Sequence, residues 1–354
     1  MTYLDYVIVY CLRQLNGERS IYSVYHILKG KKSSQSIQDA HLFQLNSFFL
    51  SLPNLSRDFF NKKVDQLKAG NFIKLNEEFK AVVTEKGIDT YMQTEPATFF
   101  PKHMDGLKYG DRANVFWRRI NLLVQVLSNH NDKETSYFPV QRGSSIQKWI
   151  KHFLRETPER DRLSFALFRE LQKMLSELEE DPSLLVFRLT GCRDYGLTEL
   201  QTAEKLHLHV EEYRFRFLDL LHGILMKVDQ DTEGFPILTS ISTVGEKQGN
   251  LTISTAQTFG LYRQGHTIRE ISKIRKLKVN TIEDHFVEII LTLNHFNTDC
   301  FITPEELHAA ASVIEELGTK RLKPIKDRLP HLSYFQIRIA IAKAGEKNGS
   351  KARA

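Results

Sequence analysis

The sequence predicts a mainly all-α, multi-domain protein, and three observations carry that expectation. Apolar residues recur along most of the chain at the period of an amphipathic helix. Helix-start signals recur as well: Thr198 with Gln201, Thr267 with Glu270 and Asn280 with Glu283 fit the capping box, in which two side chains satisfy each other's orphan backbone amides. Only one short stretch, FIKLNEEFKAVVT, alternates with the period of a strand pair.

At 354 residues, 41% apolar and 26% charged, the chain has ample material for two or three globular domains. Polar stretches with Pro and Gly at 93–110, 128–144 and 229–254 read as linkers. They delimit a winged-helix-like domain at 1–92, a helical domain at 110–228, a helix-turn-helix domain at 250–343 and a basic disordered tail at 344–354.

In the first block the periodicity predicts helices over 3–15, 21–28, 37–50 and 57–69, ended by Gly70. A hairpin around Asn76-Glu77 and a helix from Thr84 follow, the order of a winged helix with one β-hairpin wing. Lys62, Lys63 and Lys68 then project from the third helix of the motif, and Lys74 and Lys80 sit on the wing. Solvated lysines on an ordinary helical domain explain the same pattern.

The middle block predicts helices over 113–127, 145–155 and 159–179, then a trihelical unit over 183–192, 199–206 and 211–228. The segment GLTELQTAEKLHLHVEEYRFRFLDLL resembles the last DNA-binding region of sigma factors, with Ala203 where two helices touch. A domain built for packing alone fits it equally well.

The last block holds the sharpest motif, TAQTFGLYRQGHTIREISKIRKLKVNTIEDHFVEII, which reads as three short helices with two tight breaks. Ile268, Ile271 and Ile274 sit at helical spacing in its second helix, and Leu277 follows in the turn. Arg269, Lys273, Arg275, Lys276 and Lys278 cluster on that helix and the following turn, where phosphates would run. Asn280, Thr281 and His285 open the third helix, the part that meets base edges. Ile282, Phe286, Ile289 and Leu293 form its buried stripe, which puts Asp284 and Glu288 on the opposite face. Carboxylates there repel phosphates unless they accept from cytosine amino groups, so DNA and a protein partner both stay open. Beyond it, Thr303-Pro304-Glu305-Glu306 starts a helix that Gly318 ends, a short helix follows Lys323-Pro324, and Ser333 caps the final one after Pro330.

Charge points the same way. Of a net charge of +6, residues 250–354 supply most, with 16 Lys and Arg against 11 Asp and Glu. Lys343, Lys347, Lys351 and Arg353 in the tail read equally as solvated cations. Cys11, Cys192 and Cys300 are far apart and outside any metal spacing, as in a reducing cytosol. YVIVYCL near the start lacks the flanks of a signal peptide, and no run is long enough to span a membrane. A cytoplasmic, nucleoid-associated protein is expected.

Enzymatic motifs are missing. GLYRQGHT is a near miss to a phosphate loop, with His266 in place of the lysine and no strand before it. His207 and His209 lack further ligands at zinc spacing. No catalytic residue, cofactor or metal is expected.

The segments TIREISKIRKLKVNTIEDHFVEII and ITPEELHAAASVIEELGTKRLKPIKDRLPHLSYFQIRIAIA resemble the helix-turn-helix domain at the C-terminus of bacterial RecQ-type DNA helicases. The shared cues are Ile271, the Arg275–Leu277 turn, residues 281–285, Leu322-Lys323 and Tyr334. SIYSVYHILKGKKSSQSIQDAHLF and the overall length resemble the YpbB family of Bacillus-type bacteria, in which this domain occurs without a helicase engine. The chain has no Walker lysine and no acidic helicase box. The resemblance therefore implies a non-catalytic DNA-binding adaptor for a RecQ-type helicase in recombination, repair or replication-fork processing, with DNA, that helicase and a single-strand-binding protein as partners. A protein-interaction scaffold is the alternative. A transcription regulator ranks below both, for want of a dimerisation coiled coil.

Overall fold

Helices dominate the protein. The structure, a computed structural model, describes residues 1–94, 98–243, 251–293 and 296–351, with side chains to residue 344. The chain divides into two compact units, Met1–Leu4 with Thr94–Gly245, and Asp5–Gln93 with Glu246–Ala354. The first and last sequence blocks, expected as separate domains, thus share one unit.

In that unit the N-terminal part runs α1 (Tyr3–Leu15, from Asp5 onward), α2 (Ile21–Lys29), α3 (Ser34–Leu42), α4 (Arg57–Ala69), β1 (Ile73–Leu75), β2 (Ala81–Val83) and α5 (Glu85–Thr94). The two strands pair antiparallel with Lys74 opposite Val82. Asn76 shapes the tip, its side-chain oxygen accepting from the amides of Glu78 and Lys80 at 3.0 and 2.8 Å. A single bridge from Ser20 to Lys80 adds a third edge between α1 and α2, completing a winged-helix order. The helix expected over 37–50 is instead α3 plus a 3-10 turn at Asn46–Phe48, because Gln44 turns left-handed with φ of 55°.

The C-terminal part of the same unit holds α13 (Ile253–Arg263), α14 (Ile268–Arg275), α15 (Val279–Thr292), α16 (Pro304–Leu317), α17 (Leu322–Arg328) and α18 (Tyr334–Lys351). The capping box of Thr303 and Glu306, the left-handed Gly318 and the Ser333 cap all occur where the sequence placed them. Tyr262 and Phe301 pack edge-on against Phe286, which is fully buried in the middle of α15, and Phe335 packs edge-on against Phe301. Residues 352–354 of the basic tail lie outside the described residues. The side chains of Lys347 and Lys351 do too.

The other unit is built on α6 (Gly106–Asn131), with α7 (Ser144–Glu156), α8 (Arg160–Ser176), α9 (Ser183–Val186), α10 (Glu199–Lys205), α11 (Val210–Gln230) and α12 (Pro236–Ser242) around it. Its core includes Phe116, Ile120, Tyr213, Ile224 and Leu238. Thr198 and Gln201 form the expected capping box, and Ala203 is buried at the helix contact. The start of α6 is held from α11: buried Asp219 accepts from the amides of His103 and Met104, and His222 Nδ1 accepts from that of Asp105 at 3.0 Å. Burial holds His222 neutral, its pKa pushed down to about 3.

Candidate nucleic-acid interface

The interface is built on α13, α14 and α15. Thr267 and Glu270 close a capping box at the start of α14, each bonding the other's backbone amide. These bonds hold the Glu270 carboxyl below the usual carboxylate range, so it stays ionised. Gly265, with φ of 92°, makes the break before it, a conformation that L residues rarely adopt. The break after α14 is made by Lys276 in the left-handed region at φ 52°, its amide bonding back to the carbonyl of Lys273 at 3.2 Å. Leu277 donates to Ser272 O at 3.0 Å in the same turn.

Four of the five expected cations there face solvent. Arg269, Lys273, Lys276 and Lys278 are exposed, and among the described residues none has a carboxylate partner. Lys273 falls one turn before the Lys276–Lys278 stretch, so one edge of the motif carries a row of unneutralised charge. Such a row attracts polyanions and loses strength as salt rises.

Arg275 is a correction. It turns inward to α13, donating to Ser254 O at 2.6 Å, Ser254 Oγ at 3.0 Å, Gln257 Oε1 at 2.9 Å and Thr258 Oγ1 at 2.5 Å. It braces the motif, with both terminal nitrogens of its guanidinium committed to α13 and not to phosphate. His285 is a second correction. It is 6% exposed, with Nδ1 2.8 Å from Thr258 Oγ1, and burial beside Arg275 pushes its pKa down to about 4. A buried neutral imidazole meets no base edge.

Asn280 and Thr281 occupy the start of α15 as expected, exposed and half-buried respectively. The capping box assigned to Asn280 and Glu283 does not form: α15 starts after Lys278, and no side chain caps it. The acidic face is also absent. Glu288 is 1% exposed and binds the α13 start, accepting from Thr252 N at 2.6 Å and Thr255 Oγ1 at 2.7 Å. Asp284 pairs with Arg338 of α18. The reason is that α15 packs against α13, α14, α18 and also α3. Its body is core, and only its first turn is available to a ligand.

In the N-terminal part, Lys62 is exposed on α4, but Lys63 is not available, because it pairs with Asp5 at 3.1 Å and lies over the Phe59 ring. Lys68 and Lys74 are exposed, while Lys80 pairs with Glu78. The sequence reading missed Arg57, exposed at the start of α4 and stacked over Tyr22 at 4.1 Å. Its place directly after the Ser56 N-cap was the available signal.

Residues 254–341 match the family model described as a helix-turn-helix domain. Over 346 residues the chain is 32% identical to Protein YpbB of Bacillus subtilis (strain 168), covering 97% of this chain and 98% of that protein. The chain belongs to the YpbB family. No solved structure matches it. In this YpbB-family chain no described helix is long and apolar enough to cross a membrane. No described cluster of His, Cys, Asp and Glu could hold a metal ion, and His207 and His209 are both exposed.

Proposed function

We propose that this protein is a non-catalytic DNA-binding adaptor that works beside a RecQ-type helicase in recombination, repair or fork processing. The observation that carries the DNA contact is the exposed row Arg269, Lys273, Lys276 and Lys278 on a helix-turn-helix. With α15 committed to the core, the contact is to the phosphate backbone and follows charge more than sequence. The adaptor role is supported by the likeness of residues 267–290 and 302–341 to the helicase C-terminal domain, in a chain that has no motor motif of its own. Action in the cytoplasm, at the nucleoid, follows from that role.

Neutralising all four cations to Gln tests the DNA contact. Duplex affinity at physiological salt should fall on the order of a hundredfold, and the salt slope by roughly 0.9 for each lost phosphate contact. Unchanged affinity and slope would remove DNA from this surface.

A second reading, a protein-docking scaffold, is favoured by exposed apolar residues on the same motif. Ile274 and Val279, interleaved in sequence with the cations, are 51% and 39% exposed, and Ile253 at the start of α13 is 74% exposed. Under this reading Ile274→Ser with Ile253→Ser abolishes capture of purified RecQ-type helicase and leaves DNA affinity alone. Stability should change by no more than about 0.5 kcal/mol per site.

A further inference from the structure

The wing carries an aromatic side chain where the backbone least favours one. Phe79, between β1 and β2, has φ of 56°, in the left-handed region that glycine occupies freely and asparagine tolerates. Main-chain bonds hold it there: its amide donates to Asn76 O at 3.1 Å, and its carbonyl accepts from Ile21 N at 2.8 Å. The turn thus needs a left-handed residue and not a phenyl ring. That ring is 50% exposed, so folding gains little from burying it. A bulky side chain kept at a strained, solvated position points to binding.

Phe79 is one end of a short row. Tyr22 of α2 lies beside it, with ring centres 5.6 Å apart and planes tilted by 50°. Arg57 of α4 covers Tyr22 in turn, 4.1 Å from its ring centre. His26 follows Tyr22 by one turn of α2 and is half-buried. Burial, and then the charges of Lys31, Arg57 and Lys29, push its pKa down, so the charges that bear on it are positive. All three cations are exposed, and among the described residues none pairs with a carboxylate. Lys29 donates to two neutral oxygens, Tyr25 Oη and Leu55 O, each at 3.4 Å. Asp58 follows Arg57 in the chain without pairing with it. Of the two carboxylates on the wing, Glu78 is taken by Lys80 and Glu77 stands exposed.

We propose that this row is a platform for single-stranded nucleic acid. One base stacks on the exposed side of the Phe79 ring and a neighbouring one against the Arg57 guanidinium, while Lys29 and Lys31 meet the phosphates. A duplex keeps its bases stacked on one another and offers the platform only phosphates, so single strands are preferred. The platform deepens the DNA-binding reading, on which it rests for the class of partner, and it uses different residues from the C-terminal row.

Fluorescence anisotropy of the full-length protein tests it with an oligothymidylate of about 12 nucleotides, an abasic strand of equal charge and a duplex of equal length. The oligothymidylate should bind about tenfold more tightly than the abasic strand. Phe79→Asn should abolish that preference without lowering the melting temperature or the duplex affinity, because asparagine tolerates the left-handed backbone. Phe79→Trp, which keeps a stacking face, should retain it. Arg57→Gln with Lys31→Gln should weaken both strands and lower the salt slope by roughly 0.7 for each lost phosphate contact. Neutralising the C-terminal row should lower duplex affinity and leave the preference for bases intact, so the two readings can fail separately. Equal binding of the abasic strand, a preference that survives Phe79→Asn, or its loss in a Phe79→Trp protein of parental melting temperature would overturn the proposal. Loss of helicase capture in Phe79→Asn with strand affinities unchanged would overturn it too, in favour of a protein contact.

Discussion

Two regions of this chain carry the same sequence signature of a capped short helix followed by a longer one, and they use charge in opposite ways. In the α9–α11 region every cation has a partner. Arg188 and Arg214 share Glu199, Arg216 holds Glu180 and Glu212, Arg193 meets Asp132, Lys227 meets Glu177, and Lys205 lies 4.0 Å from the Phe187 ring centre. In the α13–α15 region Arg269, Lys273, Lys276 and Lys278 face solvent unpaired among the described residues. A helix-turn-helix pattern reports how helices pack; whether the result offers charge to a polyanion depends on where the carboxylates lie.

The largest expected difference is in DNA affinity. Neutralising Lys205, Arg214 and Arg216 to Gln should change duplex affinity by less than about twofold, against the roughly hundredfold loss on neutralising the C-terminal row. Comparable losses in filter-binding titrations would mean that exposure does not separate the two regions.

Next in size is a stability effect confined to the C-terminal motif. Glu288→Ala removes the acceptor for Thr252 N and two threonine hydroxyls and should cost about 2–3 kcal/mol in urea unfolding. A change below about 0.5 kcal/mol would show that α13 does not depend on this carboxylate.

Acid sharpens the comparison further, because each unit hides a histidine. His285 has a folded pKa of about 4 against 6.5 for a free imidazole, and His222 one of about 3. In both, the unfolded state binds the extra proton, so the contribution is whole above about pH 6.5 and lost as pH falls through the folded value. His285→Gln should therefore flatten stability against pH between about 6.5 and 4 by close to one proton. Parallel curves for the variant and the parent would rule out this histidine as the source.

The smallest effect belongs to Lys276→Gly. A left-handed backbone suits glycine, so stability should hold or rise by up to about 1 kcal/mol. DNA affinity should fall by only one cation's share. A clear loss of melting temperature would mean that the lysine stem, and not only its charge, supports the turn.

The helix order, most caps and the hairpin were legible in the sequence, because Thr267 with Glu270 or Asn76 at a turn acts over three or four residues. What escaped was set by neighbours distant in sequence. A helical wheel drawn for α15 gives Glu288 a solvent face only if one side of the helix is bare, and the side it assigned to water is covered. Arg275 counts as one more cation in a sequence, but Ser254, Gln257 and Thr258 on α13 claim it. Lys63 was lost to Asp5, which lies far along the chain. Arg269, Lys273, Lys276 and Lys278, which have no carboxylate partner among the described residues, stay exposed.

The packing of α3 onto α15 bears on how this family should be handled at the bench. The stretch that matches the domain model, 254–341, is shorter than what actually shields it from water. Excised alone, it would present Val287 and its neighbours as a sticky flank and invite self-association. Modules defined by alignment and modules that fold are different objects here, and the helix that makes the second kind whole, Ser34–Leu42, lies far earlier in the sequence.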